Sequence, residues 1–187
     1  ILQDDYLNNN INVIIYGPPG SGKGTYIDQL KKYGFKQISS SSLIKNFGSL
    51  KKEGKLIPDD IMNNLIKEEI NIINQGYILD GYPRTINQIK FLDNISKIDL
   101  FIELDLNDEV IIERIKGRLI CNSCNKSYHI NNYPPLKKGI CDFCHKKLIV
   151  RADDKPEIIK KRLKLYHTNI NDIRNYYKKK NIYHSIK

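Results

Sequence analysis

The sequence contains no apolar run approaching the ~20 residues that a membrane-spanning helix needs. A helical membrane protein is therefore excluded, and no membrane partner is expected. No secretory signal is visible either. The chain begins at Ile1 rather than Met, so a removed presequence stays open; cytoplasmic residence is expected, with the mitochondrial matrix as the alternative. Nowhere do aromatic and basic residues interleave as they would in an RNA-recognising strand. The net charge of +10 comes from 31 Lys and Arg against 21 Asp and Glu, and it is scattered, with only short clusters such as Lys178-Lys179-Lys180. Dispersed positive charge fits attraction for polyanionic small molecules better than nucleic-acid binding. The abundance of Asn, Lys and Ile reads as compositional bias, so single surface lysines carry little information. Cysteine is nearly absent, with four residues confined to one stretch. A length of 187 residues with 40% hydrophobic content suits one domain with small insertions.

Against that background one stretch stands out. Gly17-Pro18-Pro19-Gly20-Ser21-Gly22-Lys23-Gly24-Thr25 reads G-x-x-x-x-G-K-x-T, with Gly24 between the lysine and the hydroxyl. The apolar run 11–16 before it is long enough for one buried strand, and the residues after Thr25 alternate as an amphipathic helix to about Lys32. Glycines 20, 22 and 24 let backbone amides approach an anion, and the helix start adds its dipole. Lys23 contributes a point charge, and Ser21 or Thr25 a hydroxyl for phosphate or magnesium. The plain alternative is a glycine-rich turn without ligand.

Further along, Lys36–Ser39 predicts a second strand, and the serines 39–42 predict a cap for a helix beginning near Leu43. Pro58-Asp59-Asp60 opens a helix expected to end at Gly76. Tyr77–Asp80 predicts a strand running into Gly81-Tyr82-Pro83-Arg84-Thr85. Asp80 would then sit at the carboxyl edge, where open α/β sheets bind ligands, and Arg84 could fork onto a phosphate. Residues 100–104 read as another strand and 108–118 as a helix. Arg114 and Arg118, four apart, are expected on one face of that helix. Helix 156–177 carries Arg162, and 182–186 predicts a last strand.

The cysteines form two C-x-x-C pairs, Cys121/Cys124 and Cys141/Cys144, sixteen residues apart. That is the spacing of a tetrahedral zinc site, and four thiolates make it closed and structural rather than catalytic. Two disulfides or a redox pair are the weaker alternatives. Zinc would replace a hydrophobic core that so small an insert cannot build. His129 and His145 lie nearby and are read as non-ligands.

Together these motifs resemble the adenylate kinases of the long type, a family of nucleoside monophosphate kinases whose loop has the form G-x-P-G-x-G-K-G-T. The residues carrying the resemblance are Gly17–Thr25, Leu79–Thr85, Arg114 and Arg118, the four-cysteine insert with Tyr128-His129, Arg151-x-Asp153-Asp154 and Arg162. It extends from about Ile11 to Ile186, nearly the whole chain. It implies an α/β fold: a parallel-sheet P-loop core (11–38, 58–118 and 152–187), a shortened monophosphate-binding segment (39–57) and a zinc-bearing lid (119–151). It implies reversible transfer of a phosphoryl group from MgATP to AMP, giving two ADP, by a monomer holding Mg²⁺ with ATP and structural Zn²⁺. By the family's pattern Gly20, Ser21, Gly22, Lys23, Gly24, Thr25, Arg114, Arg118, Ser127 and Tyr128 face ATP. Ser40, Lys45, Ile57, Gly81, Arg84, Gln88, Arg151 and Arg162 face AMP, with Gln88 reading its base. Lys23, Asp80, Arg84, Arg118, Arg151 and Arg162 serve catalysis. Two departures are visible. Residues 39–57 are fewer than the family has there, with Lys45 where an arginine usually clamps AMP and Ser40-Ser41-Ser42 where Thr-Gly-Asp usually stands. The resemblance also stops before the loop that contacts the donor base, so GTP:AMP transfer is an alternative, and a non-catalytic nucleotide-binding module a further one.

Overall fold

A computed structural model describes residues 10–44 and 56–187; Lys45 lies outside them. Its core is a five-stranded, all-parallel sheet in the order β2-β3-β1-β4-β8. The strands are β1 (Val13–Tyr16), β2 (Lys36–Ser39), β3 (Tyr77–Asp80), β4 (Leu100–Leu104) and β8 (Tyr183–Ile186). A parallel sheet is covered on both faces, so its strands are apolar without alternation, as Val13-Ile14-Ile15-Tyr16 illustrates. Successive residues point to opposite layers. Ile14 and Tyr16 join Ile38, Leu79 and Phe101 in the larger core, while Val13 and Ile15 join Ile27, Phe35 and Ile78 in the smaller one.

The helices on these faces are α1 (Lys23–Lys31), α2 (Ser40–Leu43), α3 (Asp59–Asn71), α4 (Ile86–Ile95), α5 (Asp108–Lys116) and α6 (Pro156–Lys179). Met62 and Ile66 of α3, Ile89 and Leu92 of α4, and Ile170, Ile173 and Tyr177 of α6 fill the larger core. Tyr177 stacks on Phe101 with ring centroids 4.4 Å apart. A third cluster, Ile111, Ile115, Ile159 and Leu163, joins α5 to the start of α6. Among the described residues no helix is long and apolar enough to cross a membrane.

Between α5 and α6 the chain forms a lid, a three-stranded antiparallel sheet β6-β5-β7 of Arg118–Cys121 (β5), Ser127–His129 (β6) and Leu148–Ile149 (β7). Its buried interior is only Cys121, Tyr128, Cys141 and Leu148. A side-chain ion pair, Lys126 Nζ to Asp28 Oδ2 at 2.8 Å, ties the lid to α1.

Three sequence expectations need correction. Ser39 does stand at the N-cap position, without a side-chain cap bond, but Ser40–Ser42 lie inside the helix, since α2 is Ser40–Leu43. Helix α3 ends at Asn71, well before Gly76. Helix α5 stops at Lys116, where Gly117 caps it, so Arg118 is the first residue of the lid strand and does not share a helix face with Arg114.

Candidate active site

The glycine loop joins the carboxyl end of β1 to α1. Gly22 caps α1 in the left-handed region, with φ 91°. Gly20 has φ +82°, and a Cβ there would meet Ile115 Cγ1 at 2.6 Å, so α5 packs directly against the loop. Gly24 differs: no heavy atom lies within 4 Å of a Cβ built there. Its glycine is thus not demanded by the protein's own packing, and it leaves open space at the helix start. Lys23 Nζ donates to the carbonyls of Gly17 (2.8 Å) and Pro18 (2.9 Å) and lies 3.4 Å from the buried Ser21 Oγ. Burial pushes its ammonium down to about 7; Asp80 opposes this, while Arg84, Arg162 and Arg118 add to it. Arg114 Nη1 donates to the Ser21 carbonyl at 3.4 Å. Ser21, Gly22, Thr25, Tyr26 and Arg114 line a cleft of about 290 Å³ with Leu104, Leu106, Ile186 and Lys187. A larger hollow of about 460 Å³ next to it is lined by Asp105, Asp108 and Glu109 among others, and by no residue of the glycine loop.

Across the sheet edge β3 delivers Asp80, whose Oδ2 accepts from Gln37 Nε2 at 3.0 Å. The turn after it is shaped by Gly81, at φ +75°. A Cβ there would lie 2.7 Å from Ser40 Oγ and 2.8 Å from Arg84 Nη2, and the Gly81 carbonyl accepts from both Ser40 Oγ (3.0 Å) and Arg84 Nε (2.7 Å). Gln88 is buried in the first turn of α4, next to Arg84 and Asp59. Ile57 is buried in the larger core.

The lid and α6 supply the remaining arginines. Arg118 donates from Nε to Asp154 Oδ2 (2.8 Å), with Nη2 on the other oxygen. Arg151 grips Asp153 in two-point fashion, Nε and Nη2 each at 2.9 Å, and Arg162 Nη1 reaches the same carboxylate at 2.8 Å. Burial raises the Asp153 carboxyl, but Arg151 and Arg162 outweigh it and hold it below the ordinary range. Burial pushes Arg162 down to about 10; Asp153 opposes this, and the charges of Arg84, Arg151 and Arg118 add to it. Lys23, Arg84, Arg118, Arg151 and Arg162, from four parts of the chain, thus lie close enough for their charges to act on one another.

In the lid the four Sγ atoms lie within 4.8 Å of one another, with Cys121–Cys144 at 3.3 Å and Cys124–Cys141 at 3.5 Å. A disulfide needs about 2.05 Å, and four sulfurs about 2.3 Å from one zinc stand about 3.8 Å apart. The cysteines are free, so the donor set fits a tetrahedral ion. Each pair sits on the same backbone turn: Asn125 N–H donates to Cys121 O and His145 N–H to Cys141 O, and both Asn125 and His145 have φ near +60°. Tyr128 is placed differently from the sequence expectation. Its side chain is buried inside the lid with its hydroxyl 3.4 Å from Cys141 Sγ, and its ring stacks on Tyr133. Ser127, its neighbour on β6, is exposed.

Sequence reasoning missed two features. Glu103, next to last in β4, is fully buried and receives Tyr166 Oη (2.5 Å), Arg174 Nε and Nη2 (2.7 Å each) and Tyr183 Oη (2.8 Å). One charge in an apolar strand gave no sign of four donors arriving from α6 and β8. Asp59 read only as a helix start, yet it accepts from Thr85 and Gln88.

A parallel sheet with a glycine loop at its central strand, faced by arginines from core and lid, defines a P-loop phosphotransferase. Comparison with known proteins narrows the class. Residues 15–182 match the family model for adenylate kinase, and the chain belongs to that family. Its relatives include the adenylate kinase of Thermococcus kodakarensis, 41% identical over 190 residues that cover 92% of this chain and 85% of that protein. Those of Treponema denticola (41% over 186 residues, 92% and 89%) and Methanosarcina barkeri (40% over 191 residues, 92% and 88%) are similar to the same extent.

Proposed function

We propose that the converging basic residues carry out the family reaction, phosphoryl transfer from MgATP to AMP. As an adenylate kinase family member the chain is a nucleoside monophosphate kinase. An AMP phosphate oxygen attacks the γ-phosphorus, the bond to the β–γ bridging oxygen breaks, and ADP departs as a second ADP forms. Little covalent help is needed; the protein must align two phosphates and neutralise their charge. In this reading Gly20–Thr25 amides and Lys23 hold the donor phosphates, with Arg114 and Arg118 beside them. Arg84, Arg151 and Arg162 hold the acceptor and the transferring group, with Ser40, Gly81, Ile57 and Gln88 forming the acceptor pocket. Asp80 and the Thr25 hydroxyl would hold the water shell of Mg²⁺, which neutralises charge on the β- and γ-oxygens when bound. Cys121, Cys124, Cys141 and Cys144 would hold Zn²⁺, which supplies the folding energy that the four-residue interior of the lid lacks. Closing the lid would keep water from the γ-phosphoryl. We further propose action as a monomer, because one chain furnishes both halves of the site.

The observation that carries this reading is the meeting of Lys23, Arg84, Arg118, Arg151 and Arg162, whose charges act on one another. A coupled assay with ATP or GTP against AMP, CMP, UMP and GMP tests it. Diphosphate is expected from ATP with AMP, and Lys23→Ala should lower turnover by about 10³. No product from any pair, or a fall of only a few-fold in the variant, would refute it.

A further inference from the structure

We infer that Asp59 sets the base specificity of the acceptor site by locking the Gln88 amide in one of its two orientations; this rests on the reading that Gln88 meets the acceptor base. Gln88 is 3% exposed. Its Nε2 donates to Asp59 Oδ1 at 2.8 Å, and its Oε1 accepts from the Arg84 backbone N–H at 2.7 Å. Both partners are one-sided, since a carboxylate only accepts and a backbone N–H only donates. Asp59 is itself steadied by the Thr85 hydroxyl, which donates to Oδ2 at 2.8 Å, while Thr85 Oγ1 accepts the Gln88 N–H at 3.2 Å. The amide is therefore held at one end by α3 and at the other by the turn into α4. Turning it over would set a carbonyl oxygen against a carboxylate and an NH₂ against an N–H, leaving buried polar groups unpaired.

Among the described residues these bonds leave Gln88 one N–H on Nε2 and one lone pair on Oε1. A base meeting that pair must offer an acceptor to Nε2 and a donor to Oε1. Adenine does so with ring N1 and its 6-amine. Cytosine has the same polarity on a smaller ring. Hypoxanthine and guanine invert it, with a ring N–H and a 6-oxygen. Asp59 is thus a positioning residue that acts through Gln88 and selects a 6-aminopurine over a 6-oxopurine.

IMP is the clean probe, because it differs from AMP only along that edge. The ratio of kcat/KM for AMP to that for IMP, with ATP as donor, is measured for the wild type, Asp59→Asn and Gln88→Leu. The amide introduced by Asp59→Asn can face Gln88 with either its oxygen or its nitrogen, so both Gln88 orientations become tolerable. The AMP preference should fall by about tenfold or more, chiefly through a gain with IMP, at unchanged KM for ATP. The ratio is internal to each preparation, so partial loss of folded protein cancels. An unchanged ratio in Asp59→Asn together with a collapsed one in Gln88→Leu overturns the lock and leaves base reading by Gln88 intact. An unchanged ratio in both overturns base reading itself. If Asp59→Asn does not fold, Thr85→Val, which removes the hydroxyl steadying Asp59, is read by the same ratio, with a smaller fall expected and no fall overturning the lock.

Discussion

At pH 8, but not at pH 6, binding of MgATP should draw a proton from solution, and Lys23 is the group that takes it. In the free loop burial has pushed its ammonium down to about 7 from the ordinary 10.5. The hydrogen bonds suit the neutral amine as well as the ammonium: two N–H groups reach the Gly17 and Pro18 carbonyls, and the lone pair can accept from the Ser21 hydroxyl. Phosphate oxygens arriving beside the nitrogen favour the charged form and raise its pKa well above that of the free loop. At pH 8 the free lysine is then about nine-tenths neutral and the bound one mostly charged, so close to one proton is taken up per MgATP. At pH 6 both forms are charged, and uptake is about zero. The same linkage weakens association by up to about fifty-fold between pH 7 and pH 9.

The assay is calorimetric titration of MgATP in phosphate and in Tris, buffers of different ionisation enthalpy, at both pH values. The dependence of the observed heat on buffer counts the protons. No buffer dependence at pH 8 would refute the reasoning. So would a dependence that survives in Lys23→Arg, whose guanidinium stays charged throughout. Stability of the free protein gives a second view. Because the folded pKa lies below the ordinary value, the unfolded chain binds the extra proton between about pH 7 and pH 10.5. The contribution of Lys23 is therefore least favourable below pH 7 and improves as the pH rises through that window. Lys23→Met should raise the melting temperature most at pH 6, with the gain shrinking toward pH 9.

Two further perturbations test the scaffold. Cys121→Ser should reduce bound zinc from one equivalent per chain to none, open the lid to proteolysis and lower the melting temperature; chelation that leaves stability unchanged would refute the zinc reading. Arg174→Ala strips the counter-charge from the fully buried Glu103, and about 3–5 kcal/mol of stability should be lost in urea unfolding. Adding Glu103→Gln should recover part of that loss, and a loss under about 1 kcal/mol would show that the two tyrosine hydroxyls suffice on their own.

Much of this architecture is legible in the sequence, for identifiable reasons. Strands buried on both faces announce themselves as short apolar runs, and 13–16, 77–80 and 100–104 all did. The cysteine spacing located the four-sulfur cluster, because two short turns must each present two sulfurs. The errors fall where local pattern and tertiary context diverge. The i, i+4 spacing of Arg114 and Arg118 is a helical signal, but Gly117 interrupts it and hands Arg118 to the lid sheet. Nothing next to Tyr128 in the sequence shows that its ring is buried in the small interior of the lid. Glu103 and Asp59 were silent because their partners lie far along the chain, 63 to 80 residues for the tyrosines on Glu103 and 29 for Gln88 on Asp59.

If the arginines bind phosphate as proposed, the arrangement of the carboxylates would join that binding to the position of the lid. Arg118 opens the lid's first strand, and its partner Asp154 lies in the 3₁₀ turn Ala152–Asp154 where the chain returns to the core. That pair therefore ties the outgoing edge of the lid to the incoming one. Asp153 in the same turn holds Arg151, at the lid's exit, and Arg162, on α6 of the core. Apart from Lys126–Asp28, these ionic links at the base of the lid are made by the arginines that the proposed function assigns to the phosphates. A guanidinium has five N–H donors, and Arg162 places only Nη1 on Asp153 among the described residues. A phosphate could accordingly engage Arg162 and Arg151 without displacing Asp153, and each such contact would bear on the base of the lid through that carboxylate. Substituting Asp153 would free both arginines to rotate, so its cost should appear in the closure of the lid as well as in nucleotide affinity.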